Sequence, residues 1–287
     1  MSESHRGEER ARLYVVATPI GNLADITLRA LDILAKVSVV FAEDTRATGH
    51  LLEHHGIRVP LRSLHQHNEP AGARALVAVL REGRDVALVS EAGTPGVSDP
   101  GAVAVAAVRE AGFDVVPVPG ANAAIAAVSV SGLAGPFAFI GFLPPKAGAR
   151  RRALEPWVRF AHTLVFYEAP HRVVECVRDL AEVLGGDRRL VIGRELTKLF
   201  ETVHACALGD AAIWLEADPN HTRGELVLVV AGAPPASGEL GVEEERMLAA
   251  LLAELPLAQA VRLAAAIVGG RKSELYARAL QLKAGAE

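Results

Sequence analysis

The chain has 287 residues, 51% of them hydrophobic and 22% charged, a balance that suits a folded protein and excludes wholesale disorder. Its 30 Lys and Arg against 34 Asp and Glu leave a net charge of −4, which excludes a protein that coats nucleic acid through its overall charge. Two cysteines, Cys176 and Cys206, are too few for a disulfide framework or a cysteine-rich metal site.

From the N-terminus, residues 1–12 (MSESHRGEERAR) read as a charged, disordered lead-in with no apolar signal-peptide core. Leu13–Ala17 is a β-rich run, and Thr27–Leu34 carries apolar residues at helical spacing. Val37–Ala42 is a second strand running into the helix of "EDTRATGHLL". After the polar loop "SLHQHNEP", Ala71–Arg81 is helical and Val86–Val89 is a strand ending at "SEAGTPGVSDPG". Ala102–Ala111 is again helical before the strand Val115–Val118. Alternating apolar strands and helices predict a mainly parallel α/β sheet.

From Val115 to Pro145 no residue is charged, but Pro117, Pro119, Pro136, Pro144 and Pro145 leave no room for a membrane-spanning helix of about 20 residues. The stretch reads as strand, buried small-residue helix and strand. Phe137–Phe142, Thr163–Tyr167 and Leu190–Arg194 are further strands, with helices at Arg150–Phe160 and His171–Leu184 and added antiparallel strands at Thr202–Ala207 and Glu225–Ala231. "AGAPPASGELG" is a linker. Beyond it Glu243–Leu255, Leu257–Val268 and "SELYARALQL", capped by Ser273, form a small helical module. The expected organisation is a lead-in (1–12), an α/β domain (13–119), an interdomain helix and linker (120–135), a second α/β domain (136–233) and the linker with its helical module (234–287).

Open α/β sheets bind ligands beyond the carboxyl ends of their strands. Three such ends are rich here: "TPIGN"; "EDTR", with Glu43, Asp44 and Arg46 in one turn; and "SEAGTPGVSDPG", with Glu91 and Asp99 flanking a Gly-Thr-Pro turn. No G-x-G-x-x-G, Walker lysine loop or G-x-S-x-G elbow accompanies them. The pairs His54–His55 and His65–His67 lack the spacing of a helical zinc motif, and no metal is expected. "YEAPHR" (Tyr167, Glu168, His171, Arg172) and "RELTK" (Arg194, Glu195, Lys198) place polar clusters after buried strands. "KAGARRR" supplies Lys146, Arg150, Arg151 and Arg152, either a solvated linker or a phosphate-contacting edge.

Seven segments in order, "ATPIGNLADITLRAL", "AEDTR", "SEAGTPGVSDPG", "VPGANAAIAA", "FIGFLPPK", "FYEAPHR" and "RELTKLFE", resemble the bacterial RsmI family. These are the ribosomal RNA small subunit methyltransferase I proteins, YraL-type members of the tetrapyrrole methylase superfamily. The similarity runs from about Leu13 to the C-terminal helix. It implies the tetrapyrrole-methylase fold, two α/β domains with a cofactor cleft between them, and a homodimer; the cytoplasmic location expected here follows instead from the lack of a signal-peptide core and of a disulfide pattern. It also implies methyl transfer from S-adenosyl-L-methionine to the ribose 2′-oxygen of a cytidine in the decoding region of 16S rRNA, with the 30S subunit as partner and no membrane. By the same resemblance, Thr18, Pro19, Ile20, Gly21 and Asn22 line the cofactor cleft, as do Gly93, Thr94, Pro95, Val97 and Ser98 of the second loop. Ala123, Ala124 and Ala126 admit the cofactor closely, and Tyr167 and Glu168 touch it from the second domain. Asp44, Glu91, Lys198 and His171 are the candidates for proton transfer or electrostatic support, with no base chosen among them. Arg46, Lys146, Arg150, Arg151, Arg152, Arg172, Arg271 and Lys272 are the candidate RNA contacts. The competing expectation is a methyltransferase for a small, tetrapyrrole-like molecule on the same fold.

Overall fold

The computed structural model describes residues 10–234, 242–268 and 272–284. Arg271 and the centre of the linker lie outside the described residues. Two compact units emerge: residues 1–155 with 162–231, and residues 156–161 with 232–287.

The larger unit holds two five-stranded sheets. The first is wholly parallel, in the order β3-β2-β4-β1-β5, from β1 (Arg12–Val16), β2 (Val39–Ala42), β3 (Leu61–Ser63), β4 (Val86–Val89) and β5 (Asp114–Val118). Strands β2 and β4 are buried at every position, as strands covered on both faces must be. Helices α1 (Leu28–Lys36), α2 (Thr45–His54), α3 (Glu69–Arg81) and α4 (Ala102–Glu110) cover it. Leu76, Leu80, Ala104 and Val108 pack α3 and α4 against Leu13, Phe41 and Leu88 on one face. On the other face, Ala30 and Leu34 of α1 and Leu52 of α2 meet Val16, Val40 and Ala87. Parallel pairing brings the carboxyl ends of β1, β2 and β4 together at one edge.

The second sheet has the order β6-β7-β10-β8-β9, built from β6 (Phe137–Phe142), β7 (Thr163–Glu168), β8 (Arg189–Arg194), β9 (Thr202–Ala207) and β10 (Leu226–Val230). Only β6 and β7 pair in parallel; the other pairs are antiparallel, so this sheet is mixed. Helix α5 (Ala123–Ser131) lies across it, with Ala124 and Ala127 packed on Val165, Val191 and Val229. The remaining helices are α6 (Ala147–Leu154), α7 (Val173–Leu184) and α8 (Ala211–Ala217).

Two helical expectations are corrected. The helix expected over Arg150–Phe160 begins at Ala147 and ends at Leu154, followed by a 3-10 turn over Glu155–Trp157. Pro156 has no amide to donate back to the carbonyl four residues earlier, so the helical hydrogen-bond ladder stops there. Residues Pro170–Arg172 form a 3-10 turn, and α7 itself starts at Val173.

In the smaller unit, α9 (Val242–Glu254), α10 (Leu257–Val268) and α11 (Lys272–Ala284) bury Leu248, Val261, Ala264, Leu275 and Ala279 among themselves. Pro256 separates the first two helices, and its carbonyl accepts from Gln259 N and Ala260 N. Arg278 of α11 pairs with Glu245 of α9. Ser273 lies inside α11, so it does not cap the helix. No helix among the described residues is long and apolar enough to cross a membrane.

Candidate active site

The loop after β1 is built to dock. Thr18 exchanges backbone hydrogen bonds with Gly93 of the loop after β4, Thr18 N donating at 2.9 Å and Gly93 N at 3.1 Å. Gly93 has φ +80°, which an L side chain rarely adopts. Ile20 then leaves the first sheet and packs with Ala124, Val191, Leu196 and Val227 of the second. Asn22 accepts from Ala24 N and so closes its own short 3-10 turn over Leu23–Asp25. Thr18, Pro19 and Gly93 therefore act as the floor that holds the two loops together, and Ile20 is the residue of this stretch that reaches a cavity wall.

That cavity measures about 420 Å³, an ordinary size for a small-ligand site. Ile20, Thr94, Val97, Ser98, Ala123, Tyr167 and Glu168 line it, together with Glu43, Glu91 and Asp99 from the first sheet. Asn122, Phe142, Ala169, Pro170 and residues 225–227 complete the wall. The register of the second sheet explains the meeting: Glu168 at the end of β7 lies opposite Leu226 at the start of β10. Among the expected cofactor contacts, Thr18, Pro19, Gly21, Asn22, Gly93, Pro95, Ala124 and Ala126 do not line the cavity itself. Ala124 N donates to Tyr167 Oη at 3.1 Å, which fixes the phenol at the start of α5. A larger hollow of about 780 Å³ beside residues 49–61 has only Glu53 and Arg58 as charged lining and gathers no reactive cluster.

Five carboxylates ring the cavity: Glu43, Glu91, Asp99, Glu168 and Glu225. Asp99 is the perturbed one. Burial, with the charges of Glu43 and Glu91, pushes its pKa up to about 6 against a hydrogen bond from Ser90. Such environments mark functional carboxyls. Sequence reasoning noted Asp99 only as a flank of the Gly-Thr-Pro turn; its burial depends on β2 and β4 lying side by side. Phe142 and Asn122 also went unassigned. Phe142 is 56% exposed at the mouth, with its ring 5.6 Å from that of Tyr167. Asn122 caps α5 by accepting from Ile125 N, and the Asn before an Ala-rich run was its signal.

Of the four proposed proton-transfer residues, Glu91 alone lines the cavity. Asp44 caps α2, accepting from Arg46 N at 2.7 Å and Ala47 N at 3.0 Å. The hydrogen bonds from Ala47 and Arg46 hold its carboxyl below the usual range, which makes it a weak base. His171 is exposed on the 3-10 turn and is absent from the cavity wall. Burial opposes the Lys198 charge, but hydrogen bonds to Glu195 and Glu225 outweigh it and keep the pKa above the ordinary value. Its ammonium sits 3.0 Å from Glu195 and 3.2 Å from Glu225. Lys198 is thus a poor proton acceptor at neutral pH.

The basic candidates also divide. Arg150 is 1% exposed and grips Asp179 of α7 through Nε at 2.6 Å and a terminal nitrogen at 2.5 Å. It cannot reach a phosphate, because burying a guanidinium requires the partner it already has. Arg151 spends its charge on Asp179 and Glu182, and Arg172 on the buried Glu168. Arg46, Lys146, Arg152 and Lys272 are exposed. The described residues contain no group of three metal-ligating side chains.

Comparison with known proteins gives a consistent pattern. Residues 12–212 match the family model "Tetrapyrrole (Corrin/Porphyrin) Methylases", and residues 238–283 match "RsmI C-terminal HTH domain". The chain is 48% identical over 273 residues to the ribosomal RNA small subunit methyltransferase I of Escherichia coli O157:H7, covering 95% of this chain and 96% of that protein. It is 50% identical over 272 residues to the protein of the same name from Pseudomonas aeruginosa, covering 94% and 96%. Among solved structures it resembles uroporphyrin-III-C-methyltransferase from Thermus thermophilus, with a TM-score of 0.58 and 26% identity over 77% of this chain and 94% of that one. The methyltransferase CobJ gives 0.60 and 20% identity over 80% and 97%.

Proposed function

Since the chain belongs to the ribosomal RNA small subunit methyltransferase I family, we propose that it methylates a cytidine ribose 2′-oxygen in the decoding region of 16S rRNA, using S-adenosyl-L-methionine. The observation that carries this reading is the carboxylate-ringed cavity between the strand ends of the two sheets. The cofactor's sulfonium and ammonium are cations, and Glu43 and Asp99 on the cavity wall fit them by charge, Glu168 and Glu225 being already paired with Arg172 and Lys198. Ile20, Val97 and Val227 offer apolar surface for its uncharged parts. When bound, the cofactor supplies an electrophilic methyl group.

The protein's own work is orientation, exclusion of water and removal of one proton. Loops 18–22 and 90–101 fix one wall through the Thr18–Gly93 bridge, and Tyr167, accepting from Ala124 N, fixes the other. Asp99, when ionised, balances positive charge in the cavity. Glu91, exposed at the mouth, is the group we assign to accept the ribose hydroxyl proton, a contribution of about 10²–10⁴-fold. Phe142 presents a half-open ring on which an extruded base can stack. Lys146, Arg152 and Arg46 carry phosphates outside the acidic cavity, and Arg271 and Lys272 are proposed as further RNA contacts.

In this reading the substrate is rRNA within the 30S subunit, the enzyme is a cytoplasmic homodimer, and the two sheets are separate domains joined near residues 119–136. The tetrapyrrole alternative is disfavoured because the rRNA enzymes match nearly the whole chain, C-terminal helices included, at about twice the identity. The test is incubation with radiolabelled S-adenosyl-L-methionine and unmodified 30S subunits. Label on a cytidine of 16S rRNA supports the reading; no transfer, or transfer only to a tetrapyrrole, defeats it.

A further inference from the structure

Helix α4 follows directly on the loop that carries Asp99, and it starts without a cap of its own. Its N-cap position is Gly101, which has no side chain and a φ of +142°. A helix start leaves amide donors unsatisfied, and a side-chain oxygen at the cap ordinarily takes those of the first turn. Here the oxygen comes from 32 residues away. Glu69 Oε1 accepts from Gly101 N at 2.8 Å and from Val103 N at 3.0 Å.

Glu69 is the first residue of α3, where a carboxylate ordinarily serves its own helix. Asn68, before it, is likewise diverted: it accepts from His65 N and donates to Ser63 O, closing the loop after β3. Both side chains at the start of α3 therefore hold other segments in place. Between Asp99 and the anchored Gly101 stands only Pro100, whose ring fixes its φ. At the other end the same loop is pinned by Thr18 through the Gly93 bridge. The loop is thus held by Thr18 at Gly93, by Thr94 Oγ1 donating to Ala121 O at 3.1 Å, and by Glu69 at Gly101, and of these anchors Glu69 acts nearest to Asp99 along the chain.

We propose that Glu69 is a positioning residue for the cofactor site, which caps α4 across the fold and thereby sets where the Asp99 carboxylate stands in the cavity. This rests on the reading of the cavity given under Proposed function. Glu69 itself is not on the cavity wall. Its effect passes through two residues of backbone, so its loss alters the surroundings of Asp99 without removing any group that touches the ligand. The groups facing Asp99 are Glu43 at the end of β2, Ser90 and Glu91 of its own loop, and Tyr167 of β7. A displaced loop changes the spacing of Asp99 from all four.

The experiment is titration calorimetry of S-adenosyl-L-methionine with the full chain, from pH 5 to 8, for wild type, Glu69→Ala, Glu69→Gln and Glu69→Asp. Thermal unfolding is followed in parallel. Glu69→Ala is expected to weaken binding about tenfold and to move the pH midpoint of affinity away from the wild-type value. Glu69→Gln keeps the accepting oxygen and restores most of the affinity. Glu69→Asp keeps the charge but loses reach, and behaves like the alanine variant. If Glu69→Ala does not fold, the glutamine and aspartate pair decides. Variants that lower the melting temperature but leave both affinity and pH midpoint at wild-type values overturn the proposal. A wild-type chain that binds no S-adenosyl-L-methionine overturns the cavity reading, and this inference with it.

Discussion

Lys198 lies directly over Gly21. A Cβ placed on residue 21 would overlap Lys198 Cγ and stand 2.7 Å from its Cε, and Gly21 itself has φ +153°. The lysine stem covers the loop after β1 while its ammonium is tied to Glu195, just after β8, and Glu225, just before β10. The backbone beneath is forced as well: Glu195 at φ +51° and Thr197 at φ +68° stand in the left-handed region, and the β-branched Thr197 adopts it only under constraint. We assign Lys198 as a clamp on the first loop, a role its ion pairs with Glu195 and Glu225 favour over proton transfer.

Lys198→Met separates the two roles. The stem survives and the ammonium goes, so cofactor affinity should stay within about threefold while stability falls by about 1 kcal/mol from the lost ion pairs. Gly21→Ala should be the harsher change, weakening cofactor binding about tenfold or more through steric overlap and backbone strain. A base at Lys198 would instead make the methionine variant inactive in single-turnover methyl transfer, with binding intact.

Cofactor affinity should depend on pH through Asp99. Its pKa of about 6 is raised by burial and by Glu43 and Glu91, and a bound cation favours the ionised form. Affinity should therefore rise as pH increases through 6 and level off above it, and Asp99→Asn should flatten that profile. The free protein shows the opposite sign. Between about pH 4 and 6 the folded carboxyl holds a proton that the unfolded one has lost, so stability declines as pH rises through that window. Asp99→Asn should accordingly melt higher than wild type at pH 8, as read by calorimetry.

Glu91→Gln removes a proton acceptor with little change of shape. The methyl-transfer rate should fall about 10²-fold or more while the Kd for the cofactor changes little. Equal losses in rate and cofactor affinity would make Glu91 a binding residue.

The basic segment after β6 should split on substitution. Arg150→Ala leaves Asp179 buried with only Arg151 beside it, and should cost about 3–5 kcal/mol of stability in denaturant unfolding. Arg152→Glu with Lys146→Glu should leave unfolding unchanged, weaken 30S binding and reduce its salt dependence. A stable Arg150→Ala protein with weakened RNA binding would return Arg150 to the RNA surface.

The contrast between Arg150 and Arg152 shows where sequence reasoning stops. Both stand in one basic run, and only Asp179 on a helix, 29 residues downstream of Arg150, decides that one turns inward. Strands such as β4 and β10 are legible because every residue is apolar and every residue is buried. β3 is not, since Leu-Arg-Ser has no strand pattern and exists as a strand only through pairing with β2. The Gly/Pro loops were visible as loops, and so was the polar character of "EDTR". That Asp44 would be spent as a cap while Glu43 turns to the cavity depends on where α2 begins. Asp99 gains its character from burial and from Glu43, 56 positions away, and no local pattern records either.

The most direct measurement is alkaline hydrolysis of 16S rRNA labelled by this enzyme with methyl-tritiated S-adenosyl-L-methionine on 30S subunits. A methyl group on the ribose 2′-oxygen blocks cleavage of the next phosphodiester, so the label should appear in an alkali-resistant dinucleotide containing cytidine. Label released in mononucleotides would place the methyl on a base and contradict ribose chemistry in this cavity. Absence of label altogether, with S-adenosyl-L-methionine bound, would contradict the rRNA substrate.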